Sequence, residues 1–248
     1  MSDTDLTPPV ALPDDVALDL LRGGELSIEG RLVDASNATL YCAVSDGDVT
    51  AACVYKPVAG ERPLWDFPDG TLAEREVAAY EVSARLGWRI VPPTVYRDGP
   101  AGPGMVQLWI DEDELIDVVR LIRGGDSAAL RRIAVFDAVT NNADRKGGHL
   151  LPVADEHVYG VDHGVTFHVE DKLRTVLWQW AGEPLPAEAI DALVDLRGTL
   201  DRDLGDRLHE LLTTQEVRRT IRRVDDLLAI GRHPEPSGDW PAVPWPPM

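Results

Sequence analysis

The chain has 248 residues, enough for one large domain or two small lobes, and its 44% hydrophobic and 27% charged residues are ordinary for a soluble globular protein. A formal charge of −19 argues against nucleic acid or an anionic membrane as a main partner, because both want a basic surface. No apolar run reaches the roughly 20 residues that span a bilayer, and the acidic start MSDTDLTPPV lacks the pattern of a signal peptide, so a cytoplasmic location is expected.

Asp14 and Asp15 open VALDLLR, which ends at Gly23-Gly24 and reads as a short helix. LSIEGRLV, ATLYCAV and VTAACVYK alternate as three antiparallel strands, broken by DASN and SDGD. Cys42 and Cys53 fall in neighbouring strands and read as two buried thiols, and no Cys/His spacing suggests zinc. A tryptophan-bearing loop, VAGERPLWDFPDG, leads to the helical TLAEREVAAYEVSARLG, followed by the strand segments WRIVPPTVYRDG and GMVQLWI. Beyond Asp111 the pattern turns helical in DELIDVVRLI and in SAALRRIAVFDAV, the second apolar nearly all round and so expected to be buried. After the polar NNADRKGGHL come short strand segments in LLPV and HVYGVDHGVTFH, then the helices AEAIDALVDLR, LGDRLHELL and EVRRTIRRVDDLLAI. The six prolines of the tail predict an extended, loose segment, although Trp240 and Trp245 offer surfaces that could dock.

The expected architecture is therefore α+β. A β-rich N-terminal lobe covers 1–110, a helical lobe covers 111–233, and a proline-rich tail covers 234–248. A joint near LWIDEDE makes a cleft, where ligands bind.

Four residues line up in chain order. Lys56 ends a strand, Glu76 sits on the following helix, Asp144 lies in the polar loop and Asp162 precedes glycine in VDHG. These are the parts of phosphoryl transfer from ATP: a lysine on phosphate oxygens, a glutamate that holds it, an aspartate facing the attacking hydroxyl, and an aspartate on magnesium.

VYKP, REVAAYEVSARLGWRIVPPTV, NNADRKGGHLL and VDHGVTFH, in this order, resemble the atypical kinases related to phosphatidylinositol 3- and 4-kinases. The likeness is to the type II phosphatidylinositol 4-kinases and the actinobacterial proteins grouped with them, with HipA-like and secretory-pathway kinases as more distant relatives. It runs from about Gly30 to Leu185 and implies a two-lobed protein-kinase-like fold. It makes Asp144 the catalytic aspartate, Asp162 the principal magnesium ligand, Lys56 the phosphate lysine and Glu76 its partner, with Glu74 a rival on another face of the helix. MVQLWI would be the hinge, where backbone groups of Gln107, Leu108 and Trp109 meet adenine. Ser36, Asn37 and Thr39 stand in the place of the phosphate-covering turn. Lys146 would neutralise the γ-phosphate.

The chain departs from the family five residues after the catalytic aspartate, where these kinases place a metal-binding asparagine and this sequence has His149. Either His149 binds metal through nitrogen, which suits manganese better than magnesium, or Asn141, Asn142 or water supplies an oxygen. The implied function is an ATP- and Mg2+-dependent kinase (Mn2+ being possible) acting on a hydroxyl of a soluble small molecule or a protein. The alternatives are a nucleotide-binding pseudokinase and a nucleotidyl transferase on the same fold. His163 and His168 read as structural, the tryptophans of VLWQW as core, and Lys172 and Arg174 equally as acceptor contacts or a solvated run.

Overall fold

A computed structural model describes residues 12–32 and 38–248. Helix α1 (Asp14–Gly23) precedes β1 (Glu25–Arg31), β2 (Leu40–Ser45) and β3 (Thr50–Pro57); α2 (Leu72–Leu86), β4 (Thr94–Gly99) and β5 (Gly102–Leu108) complete the first part. The five strands form one antiparallel sheet in the order β1-β2-β3-β5-β4. Cys42 and Cys53 are register partners on β2 and β3, both buried and both free. They belong to an apolar cluster with Leu20 and Leu21 of α1 and Val95 and Val106 of the sheet.

Helices α3 (Val118–Gly124), α4 (Ala128–Thr140), α5 (Ala187–Leu200), α6 (Asp203–Leu211) and α7 (Thr214–Ile230) make up the second part, with a two-stranded sheet of β6 (Leu150–Pro152) and β7 (Val158–Gly160). Among the described residues no helix is long and apolar enough to cross a membrane. The segment DELIDVVRLI is helical only from Val118: Asp113 turns its carboxylate onto the backbone N–H of Leu115, a local bond that competes with helical bonding. Asp117 then caps the helix, accepting from the N–H of Arg120. Helix α4 is buried almost all round, as its composition predicts.

Helix α2 packs on both parts: Ala73 and Val77 meet Met105 of β5. Its Ala78, Ala79, Val82 and Leu86 share one apolar cluster with α4, α5, α6 and α7. Glu61 accepts from the N–H groups of Leu72 and Ala73 at its start, and Gly87 at φ 69° closes its end in the left-handed region that glycine adopts without strain. Arg75, nearly fully buried, donates to Thr166 O at 2.7 Å and pairs with Glu216 of α7, whose other oxygen completes a capping box with Thr213. Removing one member of such a buried pair costs about 3–5 kcal/mol, because the other charge is left uncompensated. The helix is thus clamped to the C-terminal helices.

The proline-rich tail is not loose. Ala242 O accepts from Thr175 N at 3.1 Å and from Trp178 Nε1 at 2.8 Å, and Pro247 O accepts from Gly147 N at 2.8 Å. At its start, His233 is 4% exposed, and its Nε2 accepts from Arg131 Nε at 3.2 Å. Burial and the neighbouring guanidinium push its pKa down to about 4. The unfolded chain therefore binds the extra proton first, so the stability this residue contributes is present above about pH 6.5 and is lost as pH falls toward 4. A Tm that drops between pH 6.5 and 4 is expected, with His233→Gln recovering on the order of 2 kcal/mol of the loss. An unchanged slope in the variant rejects this assignment.

Candidate active site

Lys56 is held at the end of β3 and points its ammonium at two carboxylates. Nζ lies 2.6 Å from Glu76 Oε1 and 2.8 Å from Asp162 Oδ1. Glu76 takes its second bond from the backbone N–H of His163 at 2.8 Å, which ties α2 to the turn that carries Asp162. Glu74 makes no bond to the lysine, so the residue on the inward face of α2 is Glu76. Burial works against the ammonium, yet the carboxylates of Asp162 and Glu76 hold Lys56 above its usual range. The ammonium in turn holds Asp162 well below the usual carboxylate range. Burial pushes Glu76 up, against the pull of Lys56. One lysine against two carboxylates leaves a net negative charge.

Asp162 adopts φ 61°, a left-handed conformation uncommon outside glycine and asparagine. Its Oδ2 lies 3.4 Å from His149 Nε2. His149 sits at the end of a 3-10 turn, Gly147–His149; burial pushes its pKa down to about 4, so the imidazole is neutral at physiological pH. Its Nδ1 is buried without a partner.

The other two oxygen donors considered for a metal are engaged elsewhere. Asn141 donates to His168 O and Glu170 O and accepts from Lys172 N. Asn142 donates to Asp137 Oδ1 and accepts from Asp144 N. Both asparagines are buried, and the Oδ1 of each already accepts a backbone N–H, from Lys172 for Asn141 and from Asp144 for Asn142. Among the described residues no cluster of three or more His, Cys, Asp or Glu could hold an ion. A metal here would have Asp162 and His149 from the protein and take its remaining ligands from phosphate and water, the usual arrangement for ions that travel with a nucleotide. The donor set fits a divalent cation.

Asp144 lies in the loop after α4, with Lys146 Nζ 3.0 Å from its Oδ2. Burial raises its pKa, while Lys146 lowers it in part. The loop is built on Arg145, which is fully buried, bonds Asp137 through Nε and NH2, and donates to Val161 O and toward His163 Nε2. Sequence reading passed over Arg145 and Arg75; their signal was an arginine directly beside Asp144 and beside Glu76.

Two cavities meet at Lys56 and Asp162. The larger, about 550 Å³, is walled by Leu32, Thr39, Val54, Gln107, Leu108 and Trp109. The smaller, about 190 Å³, adds Asp144, Glu61, Arg62 and Leu64. Ser36 and Asn37 lie outside the described residues. The hinge differs from expectation in one respect: Leu108 N donates to Pro93 O and Trp109 N to Ala52 O, so neither amide is available to adenine. The side chain of Gln107 is buried and donates to Thr94 Oγ1. A roomier groove of about 730 Å³ under α7 carries arginines and no lysine–carboxylate junction. Lys172 is not a solvated charge: it is buried, 2.6 Å from Asp66 and 4.7 Å from the ring centroids of Trp65 and Trp240.

No protein-family model matches the chain. It is 46% identical to Protein Rv2133c of Mycobacterium tuberculosis over an alignment of 261 residues, covering 92% of this chain and 94% of that protein. Among solved structures, its fold is similar to the Golgi casein kinase with Mn/ADP bound, at a TM-score of 0.59 and 14% identity over 88% of this chain and 75% of that one. It is also similar to the Helicobacter pylori proinflammatory kinase CtkA, at a TM-score of 0.51 and 12% identity over 83% and 92% of the two chains. The α+β architecture, with a β-sheet N-terminal part and a helical C-terminal part, is that of these kinases.

Proposed function

The chain belongs to the family of Protein Rv2133c from Mycobacterium tuberculosis, and from that premise we propose that it is an ATP-dependent phosphotransferase of the phosphatidylinositol 3-/4-kinase-like group, moving the γ-phosphate to a hydroxyl. The observation that carries this reading is the junction of Lys56 with Glu76 and Asp162 where two cavities join. In this reading residues 1–110 and 111–233 are the two lobes and the nucleotide occupies the larger cavity.

Lys56 leaves Asp162 for the phosphate oxygens while Glu76 keeps it in place. Asp162 and His149 hold the divalent cation, which supplies charge neutralisation on the phosphates when bound. Asp144 accepts the hydroxyl proton, and a carboxylate with a raised pKa is the better base for that step. Lys146, beside it, meets the charge that develops on the transferred group. Thr39 and residues 107–109 enclose the base, with side chains rather than the amides of Leu108 and Trp109 making the contacts. The acceptor is a soluble metabolite or a protein segment in an intracellular setting.

Incubation with ATP labelled at either phosphorus tests this reading. Label from the γ position should move to an acceptor or to water, with Mn2+ supporting at least the rate of Mg2+, because a neutral imidazole suits manganese. Transfer of α label would make the protein a nucleotidyl transferase, and tight binding without turnover would make it a pseudokinase.

A further inference from the structure

The segment 239–248 lies against the loop that carries Asp144. Its contacts run along one line: Trp240 against Lys172 and Trp65, Ala242 O on Thr175 and Trp178, and Pro247 O on Gly147, three residues from Asp144. A side chain added at Gly147 would run into Met248 Sδ. Thr175 is itself bridged to Arg145 of the catalytic loop, so the tail and the loop share one surface. The loop that carries Glu61, Arg62 and Leu64 lines the smaller cavity beside Asp144, and its neighbours Trp65 and Asp66, through Trp240 and Lys172, join it to the tail.

Two features distinguish this segment from ordinary packing. Residues 239–248, DWPAVPWPPM, contain no serine, threonine or tyrosine. A chain seated on the loop of Asp144 without a hydroxyl can cover it without being an acceptor itself. The hold is also light. No ion pair among the described residues joins 239–248 to the body, its bonds to the body use backbone carbonyls, and Trp245 remains 86% exposed. Segments held by few buried contacts open at low cost.

We propose that residues 239–248 form an intrasteric strap, a hydroxyl-free occupant of the acceptor track along Gly147 and Thr175–Trp178, which an acceptor or a partner must displace. This inference rests on the kinase reading, since a track for an acceptor has meaning only if Asp144 receives one. A strap docked nine-tenths of the time leaves one-tenth of the molecules competent, so its removal raises the rate about tenfold.

The experiment compares three proteins in Mn2+ and ATP: the full chain, the chain without residues 239–248, and the full chain carrying Trp178→Phe. The last keeps the ring and drops the bond to Ala242 O, so it tests the strap even if the shortened chain folds poorly. Release of γ-phosphate to water and ATP affinity are measured for each, together with inhibition of the shortened chain by a synthetic peptide of residues 239–248. The expected result is unchanged ATP affinity, a rate raised about tenfold by removal and less by Trp178→Phe, and reversal by the peptide. Normal ATP binding with equal or lower rates in both altered proteins overturns the strap and makes the tail part of the working site. Absence of ATP binding in all three defeats the kinase reading, and the strap with it.

Discussion

Asp144→Asn should bind ATP as the unaltered chain does and transfer phosphate about 10²–10⁴-fold more slowly, the usual contribution of a positioned general base. The amide keeps the size of the side chain and loses its charge and its ability to take a proton. The loop around it does not depend on this carboxylate, because Asn142 Oδ1 accepts from the backbone N–H of residue 144 and Arg145 anchors to Asp137 in a fully buried pair. The one ion pair given up, with Lys146, is partly exposed and is worth at most about 1 kcal/mol. Thermal stability should therefore stay close to that of the parent. The measurement is a single-turnover rate beside an ATP titration. Equal losses in binding and in transfer would mean that Asp144 shapes the loop and performs no proton transfer.

Asp162→Asn should remove the dependence of ATP binding on the metal. The lysine keeps its 2.6 Å partner Glu76, so no buried charge is stranded. Asparagine tolerates the left-handed φ at this position at least as well as aspartate does, so the backbone of the turn is not strained further. What changes is the net charge of the junction, from one excess carboxylate to none. In Mn2+ the variant should bind ATP about 100-fold more weakly than the parent, the scale of a few kcal/mol for one charged metal ligand. In a chelator the order should narrow or reverse, since a carboxylate repels phosphate when no cation lies between them. Titrations with and without Mn2+ decide the matter. A variant that still gains affinity from the metal would place the cation elsewhere.

The order of strands and helices was legible because periodicity is a local property: alternation marked the three N-terminal strands, and spacing marked α2 and α7. The charged residues of the junction were legible by their types and order, and the resemblance to kinases rested on those motifs. Glu76 was among those residues, named ahead of its rival Glu74, and the packing of α2 turns Glu76 inward. Two matters were not. That the oxygens of Asn141 and Asn142 already accept backbone N–H groups 31 and 2 positions away was not visible in the chain order. The tail read as loose because proline lacks the donor that ladders need, yet its docking uses carbonyl acceptors, which proline retains.

By itself, then, the amino-acid order determined the succession of local structures and the kinds of chemical group on each, since both follow from neighbours within a few residues. The bond of Lys56 to Asp162 and the seat of the C-terminal segment were decided only by the tertiary structure. Each depends on a distance between groups 64 to 106 positions apart in the chain, and such distances are set by which apolar faces pack together.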